Sequence, residues 1–175
     1  ILEADLSGVV LDAAAFGIKD MAQLKFLNPP PVPALNEARQ LLMRLDALDA
    51  DGRLTESGET MRRIALPVRL SHMVAEASKT GDAGAAAEIA VLLTERGLGG
   101  PDVDIDVRWA KFRRERGASA ARGLAHKIAG SAGTKTVGTG VASAGQPLLH
   151  AFPDRIAKAR GKPGQFLLAN GTGAE

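Results

Sequence analysis

Apolar residues recur at spacings of three and four along most of the chain, the period of helices with one buried face. Over Ala4 to Phe16 the stripe is Leu6, Val9, Val10, Ala13 and Phe16, with Gly17 following where a left-handed helix end costs least. Asp20 can cap a short turn with Gln23 three residues on, and Asn28-Pro29-Pro30-Pro31 then forces extended chain. Pro33 suits a first helical position, and Leu35, Ala38, Leu41, Leu42 and Leu45 line one face of a longer helix. In Leu48 to Leu54, Asp51-Gly52 supplies a two-residue hairpin turn between short flanks. Helix, short helix, helix and small hairpin is the order of a winged helix.

The pattern then stays helical. Thr55 is an N-cap for a short helix through Met61 and Ile64, and Pro67 starts a longer one, Val68 to Lys79, closed by Gly81. Asp82 caps the next, with Ala86, Ile89, Ala90 and Leu93 as its buried stripe, and Gly97 with Gly99-Gly100-Pro101 stops it. Asp104 opens a basic helix from Ile105 to Arg116 in which Trp109 and Phe112 face the core. So many single apolar faces are buried most economically as a helical bundle packed on the winged helix. From Ser131 to Gln146, Gly, Ser, Ala and Thr replace the periodic stripe, as in a linker or loop. A helix is expected to resume over Pro147 to Lys158, followed by a strand at Phe166 to Ala169 and a turn at Asn170-Gly171, with the chain stopping before a partner strand. The expected architecture is mainly α: a winged helix with one small β-hairpin over residues 1–54, a helical bundle over 55–130, a linker or loop over 131–146, and in 147–175 the start of a further domain.

Charge changes this picture. Residues 1–106 carry 10 Lys and Arg against 17 Asp and Glu, a net −7; residues 107–175 carry 12 against 3, a net +9. A basic half suits a polyanion, because clustered cations release the counterions condensed on phosphates. The plainer account of any charge run is a solvated helix face. Five Phe, one Trp and no Tyr offer no aromatic array for base stacking on a sheet, which argues against RRM and OB folds. The absence of cysteine excludes disulfides, thiolate zinc sites and a cysteine nucleophile. No apolar run is long enough to span a membrane and no secretory signal is visible, so a cytoplasmic location is expected, with no membrane partner. The chain opens on Ile1 rather than Met, which suggests a piece of a longer protein.

No catalytic constellation is legible. Gly130-Ser131-Ala132-Gly133-Thr134-Lys135-Thr136 fails the phosphate-loop pattern, because Thr134 separates glycine from lysine and a helix rather than a strand precedes it. His72, His126 and His150 are scattered without acidic partners at metal spacing, so no metal site is expected. Asp102, Asp104 and Asp106 lack the glycine and glutamate of an EF-hand, and Ser57 and Ser71 lack a nucleophile elbow. Asn170-Gly171-Thr172 matches a glycosylation sequon only by chance in a chain without a secretory signal. On the second long helix, Asn36, Glu37, Arg39, Gln40, Arg44 and Asp46 form a neutral set, poor for reading duplex DNA. The better polyanion surface runs from Arg108 to Arg116 and beyond, with Arg108, Lys111, Arg113, Arg114, Arg122 and Lys127 as the candidate nucleic-acid-binding residues.

The stretch from Thr55 to Met73, with Gly58, Ala65-Leu66-Pro67 and Arg69-Leu70-Ser71-His72-Met73, resembles the segment joining winged helix to ratchet domain in DEAH-box helicases. Leu27-Asn28-Pro29-Pro30-Pro31, Leu45-Asp46-Ala47-Leu48-Asp49, Ala151-Phe152-Pro153-Asp154-Arg155-Ile156-Ala157 and Leu168-Ala169-Asn170-Gly171 are similar to the bacterial HrpB-type branch. The Gly-rich 131–146 stretch departs from the more helical region of that pattern. The resemblance implies an ATP-dependent helicase whose winged helix and ratchet close a channel for single-stranded nucleic acid, RNA rather than DNA. It also implies RecA-like motor domains as partners, with ATP and Mg bound there. Walker A, Asp-Glu-Ala-His and arginine-finger motifs are missing from these 175 residues, so the chain by itself is expected to hold no cofactor and to be no enzyme. Two other readings are a winged-helix regulator of duplex DNA and a helical protein-interaction module.

Overall fold

The computed structural model describes residues 5–21, 24–133, 140–161, 164–169 and 171–174. Its first three helices are α1 (Ser7–Ala15), α2 (Val32–Arg44) and α3 (Glu56–Arg63). Helix α1 packs on α2 and α3. Pro31 is the extended residue before α2, so Pro33 falls at its second position, one later than the sequence suggests. The wing between α2 and α3 is reduced to one antiparallel bridge, Leu48 to Leu54. Local bonds support it: the Asp49 carboxylate accepts the Arg53 N–H at 2.7 Å, and the Asp49 carbonyl accepts the Gly52 N–H at 3.0 Å. Gly58 on α3 is where wing and helix touch, because a Cβ there would collide with the Ala47 carbonyl and the Leu54 side chain.

Thr55 joins the two halves of this unit. Its hydroxyl donates to the Asp46 carbonyl and accepts the Gly58 N–H at 3.0 Å, so one side chain closes α2 and caps α3.

The bundle comprises α4 (Val68–Lys79), α5 (Ala83–Thr94), α6 (Ile105–Arg114), α7 (Ser119–Ser131) and α8 (Gly145–Ala151). Helix α5 sits at its centre, against α4, α6, α7 and α8. Its alanines at 83, 86, 87 and 90 are fully buried, which lets neighbouring helices approach closely. One apolar core runs from Val10 in α1 through Met61, Met73, Ile89 and Phe112 to Ala151 in α8. Three antiparallel strands follow, β1 (Ala157–Ala159), β2 (Phe166–Leu168) and β3 (Gly173–Ala174), in the order β1-β2-β3.

Several expectations are corrected. Val9 and Phe16 are 45% and 77% exposed, while Ser7 and Leu11 join Val10 and Ala13 inside. Helix α1 is apolar almost all round, so periodicity does not select its buried face. Leu93 is 42% exposed and Leu92 takes its place. Asp82 stands at the N-cap position of α5, but its carboxylate accepts from the Thr80 hydroxyl instead of capping. The basic helix ends at Arg114, and Arg116 to Ala118 form a separate 3-10 turn.

No helix continues to Lys158. Helix α8 stops at Ala151 because Pro153 keeps Phe152 out of helical geometry, and a 3-10 turn at Pro153–Arg155 leads into β1. The partner strand thought to be missing is present: β3 pairs with β2, Phe166 opposite Ala174. Gln23, Asn170 and residues 134–139 of the Gly-rich segment lie outside the described residues. The described end of that segment is anchored, with the Ser143 hydroxyl and Ala144 N–H both donating to the Asp106 carboxylate at 2.8 and 2.6 Å.

Candidate nucleic-acid interface

The basic surface is built on α6 and α7. The Asp104 carboxylate accepts the Asp106 and Val107 N–H groups, fixing the start of α6. Buried Trp109 and Phe112 fix its rotation. Gly99, in the left-handed region at φ +69°, lets the preceding loop lie against the Arg108 backbone where a Cβ would clash. The candidate cations then separate by what they touch.

Arg108 is turned inward, its Nη2 donating to the carbonyls of Leu92 at 3.2 Å and Leu98 at 3.3 Å. Arg122 Nη1 donates to the carbonyls of Phe112 at 3.0 Å and Glu115 at 2.7 Å, closing the end of α6. Leu92, Phe112 and Glu115 stand in the last turn or at the C-cap of α5 and α6, where carbonyls are short of intrahelical donors.

Lys111 has one long contact, 3.8 Å to Asp102. Arg113 pairs with Glu88 through Nε at 2.6 Å and lies 3.9 Å above the Trp109 ring centre. Arg114 and Lys127 are exposed and, among the described residues, within ion-pair distance of no carboxylate. The same is true of Arg116, which the sequence reading named as the end of the basic run but did not place among the six candidates. Lys127 lies eight residues into α7, about 12 Å along it. Of the candidates, Arg114 and Lys127 are thus exposed cations without an ion pair among the described residues, as is Arg116, while Arg113 and Lys111 are paired.

A second set of basic groups holds the joint between α4 and α8. Arg69 Nη1 donates to the Ala151 carbonyl at 3.0 Å and to Asp154 Oδ1 at 2.7 Å. Phe152 lies between two guanidiniums, Arg69 at 5.5 Å and Arg155 at 4.8 Å from the ring centre. His72 Nδ1 is 3.0 Å from the His150 carbonyl, which makes Nδ1 the protonated nitrogen. Burial pulls the His72 pKa down, against the opposing pull of that carbonyl and of Glu76. At Asp154 desolvation pushes the carboxyl up, but the hydrogen bond from Arg69 and the surrounding bonds and charges outweigh it, and the net direction is down.

Part of the exposed side of α2 is engaged within the chain. Arg39 Nη2 donates to the Lys19 carbonyl at 2.8 Å. Asn36, Arg39, Gln40 and Met43 line a cleft of about 360 Å³ closed on its far side by Ala50, Asp51 and Gly52 of the wing. Among the described residues no group of His, Asp or Glu is placed to hold a metal ion, and no helix is long and apolar enough to cross a membrane.

Residues 38–68, from mid-α2 to the start of α4, match the winged-helix part of the helicase-associated domain, HA2. The ATP-dependent RNA helicase HrpB of Escherichia coli (strain K12) is 35% identical over 178 residues, covering 99% of this chain and 21% of that protein. Crystal structures of the E. coli DExH-box NTPase HrpB and of the E. coli DEAH/RHA helicase HrpB superpose with TM-scores of 0.81 and 0.82. Their identities are 32% and 33%, and they cover 98% and 99% of this chain. The chain spans about one fifth of the length of these relatives. By sequence and by fold, it matches one region of the HrpB-type proteins across nearly its whole length, with the HA2 winged helix at residues 38–68.

Proposed function

We propose that this chain is the region of an ATP-dependent RNA helicase that holds a single nucleic-acid strand while RecA-like motor domains hydrolyse ATP. The observation that carries the reading is the set of exposed cations without a carboxylate partner among the described residues, Arg114, Arg116 and Lys127, in the part of the chain that bears a net +9. Flexible side chains without base-edge geometry suit a phosphate backbone and give sequence-tolerant binding. RNA is favoured over DNA through the name of the E. coli relative. ATP and Mg belong to the motor domains, whose motifs these 175 residues do not contain, and the chain alone has no ATPase activity in this reading. Its surroundings are cytoplasmic.

The test is fluorescence anisotropy of a labelled single-stranded RNA titrated with the 175-residue chain at several salt concentrations, beside a duplex DNA of equal length. Salt-dependent binding that favours the single strand is expected. Arg114→Ala combined with Lys127→Ala should lower the slope of log affinity against log salt by about 0.7 for each phosphate that is no longer neutralised. Duplex preference, or a slope unchanged in the double variant, would overturn the reading.

A further inference from the structure

Arg113 differs from its basic neighbours in how it is held. Buried Trp109 lies one helical turn before it, and the guanidinium rests 3.9 Å above the indole. Its Nε donates to Glu88 Oε2 at 2.6 Å, and the same oxygen accepts the Trp109 indole N–H at 2.7 Å. Glu88 comes from α5, the central helix, so the support is part of the core. Of the five N–H donors of a guanidinium, Nε uses one. The four on Nη1 and Nη2 have no partner among the described residues, and the side chain is 48% exposed.

The rotamer freedom that an arginine gives up on binding has here been given up in the fold. A planar fork with a fixed plane and free tips matches two oxygens of one phosphate. Glu88 offsets part of the Arg113 charge, but its oxygen is shared with the indole, and Arg114 and Arg116 follow with no ion pair among the described residues, the intervening Glu115 carboxylate accepting the Gly99 N–H instead. Arg114 and Arg116 lack any such support and can act only as loosely placed charges.

We propose that Arg113 is a preorganised phosphate fork, taking two oxygens of one backbone phosphodiester. It is the fixed point at which the strand registers on the bundle. This rests on the strand-holding reading above and adds to it a single residue and a geometry.

Trp109 is the only tryptophan in the chain, so its emission reports on what touches Arg113. The experiment titrates the 175-residue chain, and its Arg113→Lys, Arg113→Ala, Arg114→Lys and Arg114→Ala variants, with a single-stranded oligouridine and separately with inorganic pyrophosphate. Trp109 emission and RNA anisotropy are read together. A fork requires Arg113→Lys to lose as much affinity as Arg113→Ala, about tenfold, while Arg114→Lys binds like the parent. The emission change on titration should vanish in both Arg113 variants and persist in Arg114→Lys.

If Arg113→Lys binds like the parent, position 113 needs only a charge and the fork is wrong. If RNA binds but neither affinity nor emission depends on Arg113, the strand reading stands and the fork falls. If RNA does not bind but pyrophosphate moves Trp109 emission only when Arg113 is present, the fork stands and the strand reading falls. No response to either ligand overturns both. Unchanged helical circular dichroism and melting in each variant, with Glu88→Gln as a control that keeps an acceptor for the indole, guards against reading misfolding as lost binding.

Discussion

Asp46 occupies the left-handed region, φ 52°, at the end of α2. It is forced there because its N–H donates to the Met43 carbonyl at 3.1 Å while the Ala47 N–H reaches back to Leu42 at 2.8 Å, a Schellman closure whose central residue is usually glycine. An aspartate carries a Cβ penalty there, and among the described residues its side chain makes no capping bond in return. Asp46→Gly is therefore expected to stabilise the fold by about 0.5 to 1 kcal/mol, a rise of a few degrees in melting temperature. An unchanged or lower melting point would show that the side chain contributes in some way the geometry does not reveal. The sequence reading had left Asp46 on α2, which in fact ends at Arg44, but the N-caps were legible. Thr55 and Asp104 cap the helices they were expected to cap, because an N-cap acts on amides two or three residues away. Asp82 misled because its competitor, the Thr80 hydroxyl, is equally local and the sequence does not rank the two.

Between elements, the recurring theme is that one helix closes the end of another. Helix α8 ends on carbonyls taken by Arg69 and His72, one turn apart on α4. The small sheet begins six residues later, so this joint fixes where β1 leaves the bundle. Arg69→Ala leaves the Ala151 carbonyl and Asp154 without their donor, a loss of about 2 kcal/mol in local opening for a charged hydrogen bond. Hydrogen exchange followed by mass spectrometry should then quicken tenfold or more over residues 145–161 while α5 stays protected; equal exchange in parent and variant would refute the joint. Acid should loosen the same place. His72 is held neutral by the fold, so the unfolded chain takes up the proton first. The stability it lends is complete above about pH 6.5 and declines as pH falls through its lower folded value. Asp154 follows the same sign further down, its contribution present above its ordinary value near 3.8 and lost below it. None of this was readable from one sequence, where Arg69 and Ala151 stand 82 positions apart. Of the sheet, β2 was read from its apolar run at Phe166 to Ala169, while β1 and β3, of three and two residues, are too short to show a period.

For the molecule as a whole, the sequence sorted the charges correctly by half but not by use. The order of helices followed from apolar spacing and the Pro and Gly that interrupt it. The candidate surface came out as six cations, of which two serve the fold. A lone sequence does not separate an arginine that serves a helix end from one that serves the solvent, since both stand on an exposed-looking face. The distinction has a consequence for chemical labelling. A dicarbonyl that condenses with guanidinium groups should consume Arg114 and Arg116 at the rate of a free peptide, Arg113 more slowly, and Arg69, Arg108 and Arg122 only as the bundle opens. Mass spectrometry of the modified peptides over time would show that staircase, and equal rates at all six positions would dissolve it. The arginines of residues 107–175 would then divide into a reactive fraction and a reserve, Arg108 and Arg122, that surfaces only on unfolding.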